Sequence, residues 1–147
     1  MRVTYSFSVP FVHGQNRPRI AKAGRKVWLH KPASDREREA VIADAYREAG
    51  GTMAPDGTPV AVTIRTRRGV RSDMRKRDGD AQVDVEKPDA DNIAKLVLDA
   101  LNGVAYHDDS QVSVLLVIKG TRLRGASPET TITISWEEPN GEHADKD

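Results

Sequence analysis

The sequence predicts an α/β fold: a small mixed β-sheet carrying two helices, in the order β-α-β-α-β-β. Three observations lead there. Four stretches alternate apolar and polar residues, or are apolar throughout, over strand-like lengths. Two others place apolar residues at helical spacing and are bounded by start or stop signals. Finally, no apolar run approaches the ~20 residues of a membrane span, so those elements must pack on one another.

Val3–Val9 is the first strand, and Pro10 ends it. Residues 11–33 hold Gly14, Pro18, Gly24 and Pro32 among basic residues and read as a loop with a short strand at 26–29. Ser34-Asp35-Arg36-Glu37 matches a capping box, with Ser34 as N-cap. Val41, Ile42, Ala45, Tyr46 and Ala49 then form one helical stripe, which Gly50-Gly51 stops. Tyr46 reads as core. Pro55-Asp56-Gly57 marks a turn before a second strand at 60–66.

Residues 67–87 carry many charges and little apolar content, and read as a flexible basic arm. The second helix runs from Asp91 to Gly103. Ile93, Leu96, Val97, Ala100 and Leu101 are its buried stripe, and Asp91, Lys95 and Asp99 line up on the opposite face. Leu98 falls toward that polar side, where a partner subunit would account for it. Residues 112–117 are apolar on both faces and read as a central strand. Thr131–Trp136 is the last strand. Residues 1–137 thus read as one domain and the polar residues 138–147 as a disordered tail.

The net charge of +1 conceals an uneven distribution. Residues 1–31 contain seven Lys or Arg and no acid, and residues 65–77 contain seven more against Asp73 alone. The acids crowd into residues 78–109 and the tail. Two basic segments around an acidic cluster suggest a polyanion held at a metal site, although solvated surface charge is the plainer reading of either segment alone. The chain has no cysteine, which excludes disulfides and thiolate metal sites and suits a reducing cytoplasm. The N-terminus lacks a signal-peptide pattern. No HExxH, Walker loop or GxGxxG occurs.

The chemistry concentrates between Lys87 and Val112. Asp89 and Asp91 precede the second helix, Lys95 lies within it, and Asp108 and Asp109 open the following strand. Two carboxylates ~5 Å apart repel by roughly 3 kcal/mol at an effective dielectric of ~20. Acids gathered there need protons, bases or a cation. Hard carboxylate oxygens suit Mg²⁺, so Asp89, Asp91 and one of the second pair would surround one or two ions. Such ions activate water and stabilise the leaving oxygen of a phosphodiester displacement, with Lys95 offsetting charge. Each pair also has a plainer reading, as an N-cap and as a turn. His107 abuts Asp108, but a lone loop histidine is more often neither ligand nor catalyst.

Pro88-Asp89-Ala90-Asp91-Asn92, Lys95, Asp99-Ala100-Leu101-Asn102-Gly103 and Asp108-Asp109-Ser110-Gln111-Val112 together resemble the signature of RusA-family Holliday junction resolvases. Asn16-Arg17-Pro18-Arg19 resembles the basic loop of many phage-encoded members. The resemblance implies a RusA-like fold and a homodimeric, Mg²⁺-dependent endodeoxyribonuclease, with Mn²⁺ able to substitute. Such an enzyme makes paired cuts in four-way DNA junctions during recombination and repair. Carried over by position, Asp89, Asp91 and Asp109 would be the essential acids and metal ligands, and Lys95 the essential base beside them. Asp108 would be an adjacent acid and a further metal ligand, while Asn92 and Asp99 would support the helix. Arg17 and Arg19 would contact DNA. The resemblance also implies a bacterial cytoplasm and a phage or prophage origin. The arm at 70–86 is longer than the family pattern, and the acidic tail has no family counterpart. Two rival functions remain: a noncatalytic DNA-binding module, and a metal-dependent nuclease preferring forks or flaps.

Overall fold

The computed structural model describes residues 1–16 and 19–139. In chain order the elements are β1 (Arg2–Val9), β2 (Arg19–Ala23), β3 (Lys26–His30), α1 (Ala33–Glu48), β4 (Val60–Arg67), β5 (Ala81–Gln82), α2 (Ala90–Leu101), β6 (Val112–Lys119), β7 (Arg122–Leu123) and β8 (Glu129–Glu137). The main sheet has the order β1-β8-β4-β6. Only the β4–β6 pair is parallel, so the sheet is mixed, as the alternation of strands and helices predicts. Both helices carry their apolar stripes to one core. Tyr46 and Ile42 of α1 and Ile93, Leu96 and Leu101 of α2 meet Val62 and Ile64 of β4 and Ile132 and Ile134 of β8, all essentially without exposure. Burying each such side chain is worth about 1.5–3 kcal/mol.

Five local expectations change. The strand at 112–119 is an edge and not the centre of the sheet, and Val114, Leu115 and Leu116 are 56%, 44% and 49% exposed. The central strand β8 instead shows the cleaner alternation, because one face meets the helices and the other is lined by threonines. Residues 19–30 form a hairpin turned at Gly24, whose φ of 61° suits glycine. Helix α1 begins at Ala33 with Pro32 as N-cap and no side-chain cap, so Ser34 lies inside the first turn. Leu98 is half-buried against the chain's own core and needs no partner.

The fifth change is the largest. Residues 67–87 are folded onto the sheet by buried charge, not loose. Arg68 at the end of β4 donates from Nε and Nη2 to both oxygens of Asp84, at 2.8 and 2.7 Å. Lys119 and Arg122 approach the same carboxylate at 3.9 and 4.0 Å. The pairing of β5 with β7 closes the segment against the far end of β6. No periodic pattern could announce this, because its partners come from three distant elements.

Candidate active site

Helix α2 is the axis of the site. Asp89 is its N-cap residue, in extended conformation and making no side-chain cap hydrogen bond. Its carboxylate is thus not used to hold the helix. The preceding Lys87–Pro88 peptide is cis. Three hydrogen bonds fix the approach to it: Arg68 Nη2 donates to the carbonyls of Glu86 and Lys87 at 3.3 and 3.0 Å, and Lys119 Nζ donates to the Glu86 carbonyl. Asp91 and Lys95 follow one helical turn apart on one exposed face. Among the described residues, the side chains of Asp89, Asp91, Lys95 and Asp109 take part in no hydrogen bond within the chain and no ion pair.

Asp99 is different. It accepts from Gln15 Nε2 at 2.5 Å and pairs with Lys31 at 3.4 Å, which in turn meets Glu39 at 2.6 Å. Burial alone would lower the Lys31 pKa, but Glu39 and Asp99 outweigh it and raise it. Asp99 therefore ties the N-terminal loop to α2, which agrees with its expected role as helix support. The Gln15 backbone N–H donates to the Asn92 carbonyl at 3.0 Å. Gly14 makes this approach possible, since a Cβ there would stand 2.8 Å from the Asn92 Cβ.

After α2 the chain doubles back along the helix. The Tyr106 hydroxyl donates to the Leu98 carbonyl at 2.7 Å, and the phenol is fully buried. Burial first, then the nearby charges of Asp109, Asp99 and Asp108, raise its pKa. The two neighbouring acids that follow have separate duties. Asp108 caps a 3-10 turn at Asp109–Gln111, accepting from the Ser110 amide at 3.1 Å while Gln111 reaches back to the Asp108 amide. Hydrogen bonding to Ser110 holds its carboxyl below the usual range. Asp109 caps nothing.

Asp89 and Asp91 thus flank the start of α2, while Asp109 lies in the 3-10 turn after it, where its charge reaches Tyr106. No group of three His, Asp or Glu among the described residues is placed to hold a metal ion. Arg17 lies outside the described residues; Arg19 opens β2, its backbone opposite His30. Sequence reasoning missed a cleft of about 480 Å³ between the 13–16 loop, α1 and Asp89, into which Arg38 and Lys87 face. It also missed Asp35, fully buried and bound by the amide and side chain of Asn16, each at 3.0 Å. Asp35 looked like an ordinary first-turn acid, and only the long-range contact distinguishes it.

The sequence matches the family model for endodeoxyribonuclease RusA over residues 10–135. The chain belongs to the RusA family. That match contains the 13–16 loop, both helices and all the acids just described, so the chain is a structure-selective nuclease acting on branched DNA. RusA-family nucleases are metal-dependent. The chain is also similar to the uncharacterized protein YqaN of Bacillus subtilis (strain 168), with 32% identity over 111 residues, covering 71% of this chain and 78% of YqaN. Among the described residues, no helix is long and apolar enough to cross a membrane.

Proposed function

We propose that the chain resolves four-way DNA junctions as a homodimer, using Mg²⁺ held by Asp89, Asp91 and Asp109. The observation that carries this reading is the contrast among acids around α2. Asp99 and Asp108 have partners in the fold, whereas the other three are exposed and, among the described residues, without basic partners. Their hard oxygens suit Mg²⁺, which keeps waters and phosphate oxygens in its shell and needs only one or two carboxylates. The chemistry supplied by a bound ion is activation of the attacking water and neutralisation of charge at the phosphodiester. Lys95, on the Asp91 face of α2, offsets the charge that develops on the phosphate. Asp108, spent on its turn, orients Asp109 and is not a principal ligand. In this reading Arg17 and Arg19 contact DNA phosphates, in a bacterial cytoplasm.

The test is cleavage of a synthetic four-way junction with and without Mg²⁺, beside fork, flap and linear duplex. Symmetric cuts in the junction with Mg²⁺ or Mn²⁺ support resolution. Tight binding without cleavage in either metal would leave only a DNA-binding module, and faster cutting of forks or flaps would move the substrate there.

Dimerisation has its support in β6. An edge strand with three exposed apolar residues is a ready surface for a second copy. Two symmetric incisions also suit a two-fold enzyme. Leu115→Glu is expected to turn dimer into monomer in sedimentation equilibrium, and to replace paired cuts by single nicks. A Leu115→Glu protein that stays dimeric places the interface elsewhere.

A further inference from the structure

The cleft beside Asp89 has the makings of a second anion site. Arg38, on α1, is 28% exposed at its side chain, and its nearest carboxylate oxygen, on Asp35, is 3.9 Å away. None of its N–H donors makes a hydrogen bond among the described residues. The other partly buried arginines behave differently: Arg68 grips Asp84, Arg122 donates to the Gly69 carbonyl, and Arg124 donates to Asp80 and two carbonyls. A guanidinium held in a cleft with its donors unused is an anion receptor awaiting its anion.

The rest of the cleft agrees. Lys87 lines it, exposed and without an ion pair among the described residues. His13 lines it too, its pKa lowered by burial and then by Arg38, so near neutrality it offers hydrogen bonds without charge. Asp35, bound by Asn16, holds the loop wall in place from beneath. Among the lining residues two cations stand against Asp89, and Asp35 lies beneath them, 3.9 Å from Arg38.

We propose that Arg38 and Lys87 bind one backbone phosphate of the DNA strand adjacent to the phosphate that is cut. This rests on Asp89 belonging to the nuclease site, since it borders the same cleft. The function of the subsite is to set the register of the strand across Asp89.

The experiment is a methylphosphonate scan. Single neutral methylphosphonates are placed at successive phosphates around the branch point of a synthetic junction. Binding of the full-length chain is measured by fluorescence anisotropy in EDTA. Wild type should lose roughly tenfold in affinity at one position. Arg38→Gln should lose a similar factor on the unmodified junction and nothing further at that position, with its salt slope lower by about 1. Lys87→Gln should couple to the same phosphate, and it decides the matter if Arg38→Gln does not fold. Arg47→Gln, at the far end of α1, should bind like wild type.

Wild-type affinity for Arg38→Gln and Lys87→Gln, or losses that add in full at every position, would overturn the subsite, as would an equal loss in Arg47→Gln. Cleavage of the unmodified junction by wild type with Mg²⁺ is scored separately. Cleavage without coupling removes the subsite alone, and coupling without cleavage removes the nuclease assignment while keeping the subsite.

Discussion

Asp84 and Asp89 lie in one short stretch of chain and have opposite surroundings. The Asp84 side chain is 1% exposed and has three basic groups within 4.0 Å. Asp89 is exposed and meets none among the described residues. Both are acids in a basic neighbourhood, so local composition does not separate them. The difference is the use the fold makes of its cations. Around Asp84 they complete a buried structure that fixes the backbone just before α2. Around Asp89, Asp91 and Asp109 no base stands within ion-pair distance among the described residues, which suits the ion proposed for them. A structural acid is recognised by its partners, and the ligand role proposed for the other three rests on their lacking any.

Asp91→Asn should have the largest effect. It removes a ligand oxygen with its charge, and junction cleavage should fall on the order of 10³-fold or more. Anisotropy should show binding retained or tighter, since one repulsion toward phosphate disappears. Binding lost together with cleavage would make Asp91 a structural acid and break the contrast.

Asp84→Asn is the converse test. It leaves Arg68, Lys119 and Arg122 without their counter-charge in a buried setting, and should cost about 3–5 kcal/mol in urea unfolding. Burial raises the Asp84 carboxyl pKa, but Arg68 and then Lys119 outweigh it and leave it below its ordinary value. With the folded pKa depressed, the stabilisation is present above the ordinary carboxylate range and is lost as pH falls through the folded value. The wild-type urea midpoint should therefore drop below about pH 4, and Asp84→Asn should show a flatter profile there. A variant with the wild-type acid slope would mean that Asp84 is not what the acid transition titrates.

The finest division lies between neighbours. Asp109→Asn should cut cleavage by on the order of 10²-fold. Asp108→Asn should leave the unfolding midpoint unmoved, because Asn caps as well as Asp. Its cleavage should stay close to wild type. Equal losses in both variants would show that the capping turn does not separate their roles.

Much of this was legible beforehand. The α2 stripe from Ile93 to Leu101 is buried as its spacing requires, and the strands at 3–9, 60–66 and 131–136 are present. The candidate acids were legible as a motif, since Asp89, Asp91, Lys95 and Asp109 sit at fixed offsets along the chain. Other features were not. Ser34 offered a capping box that the structure does not use, because the N-cap is Pro32, two residues earlier, and the Asn16 side chain approaches the Ser34 hydroxyl at 3.5 Å. The 67–87 segment looked like a loose arm because its neutralising partner for Arg68 is a single acid, Asp84, and its other anchors lie on β6 and β7.

The sequence by itself determined the periodic elements and the acid motif, because both depend on spacing along the chain. Tertiary structure decided which strand became the edge, which acids received bases, and which arginine kept its donors unused. Those outcomes depend on which side chains meet across the fold. The apolar pattern of residues 112–117 is the same for a central strand as for an edge awaiting a partner, and only the sheet order tells them apart.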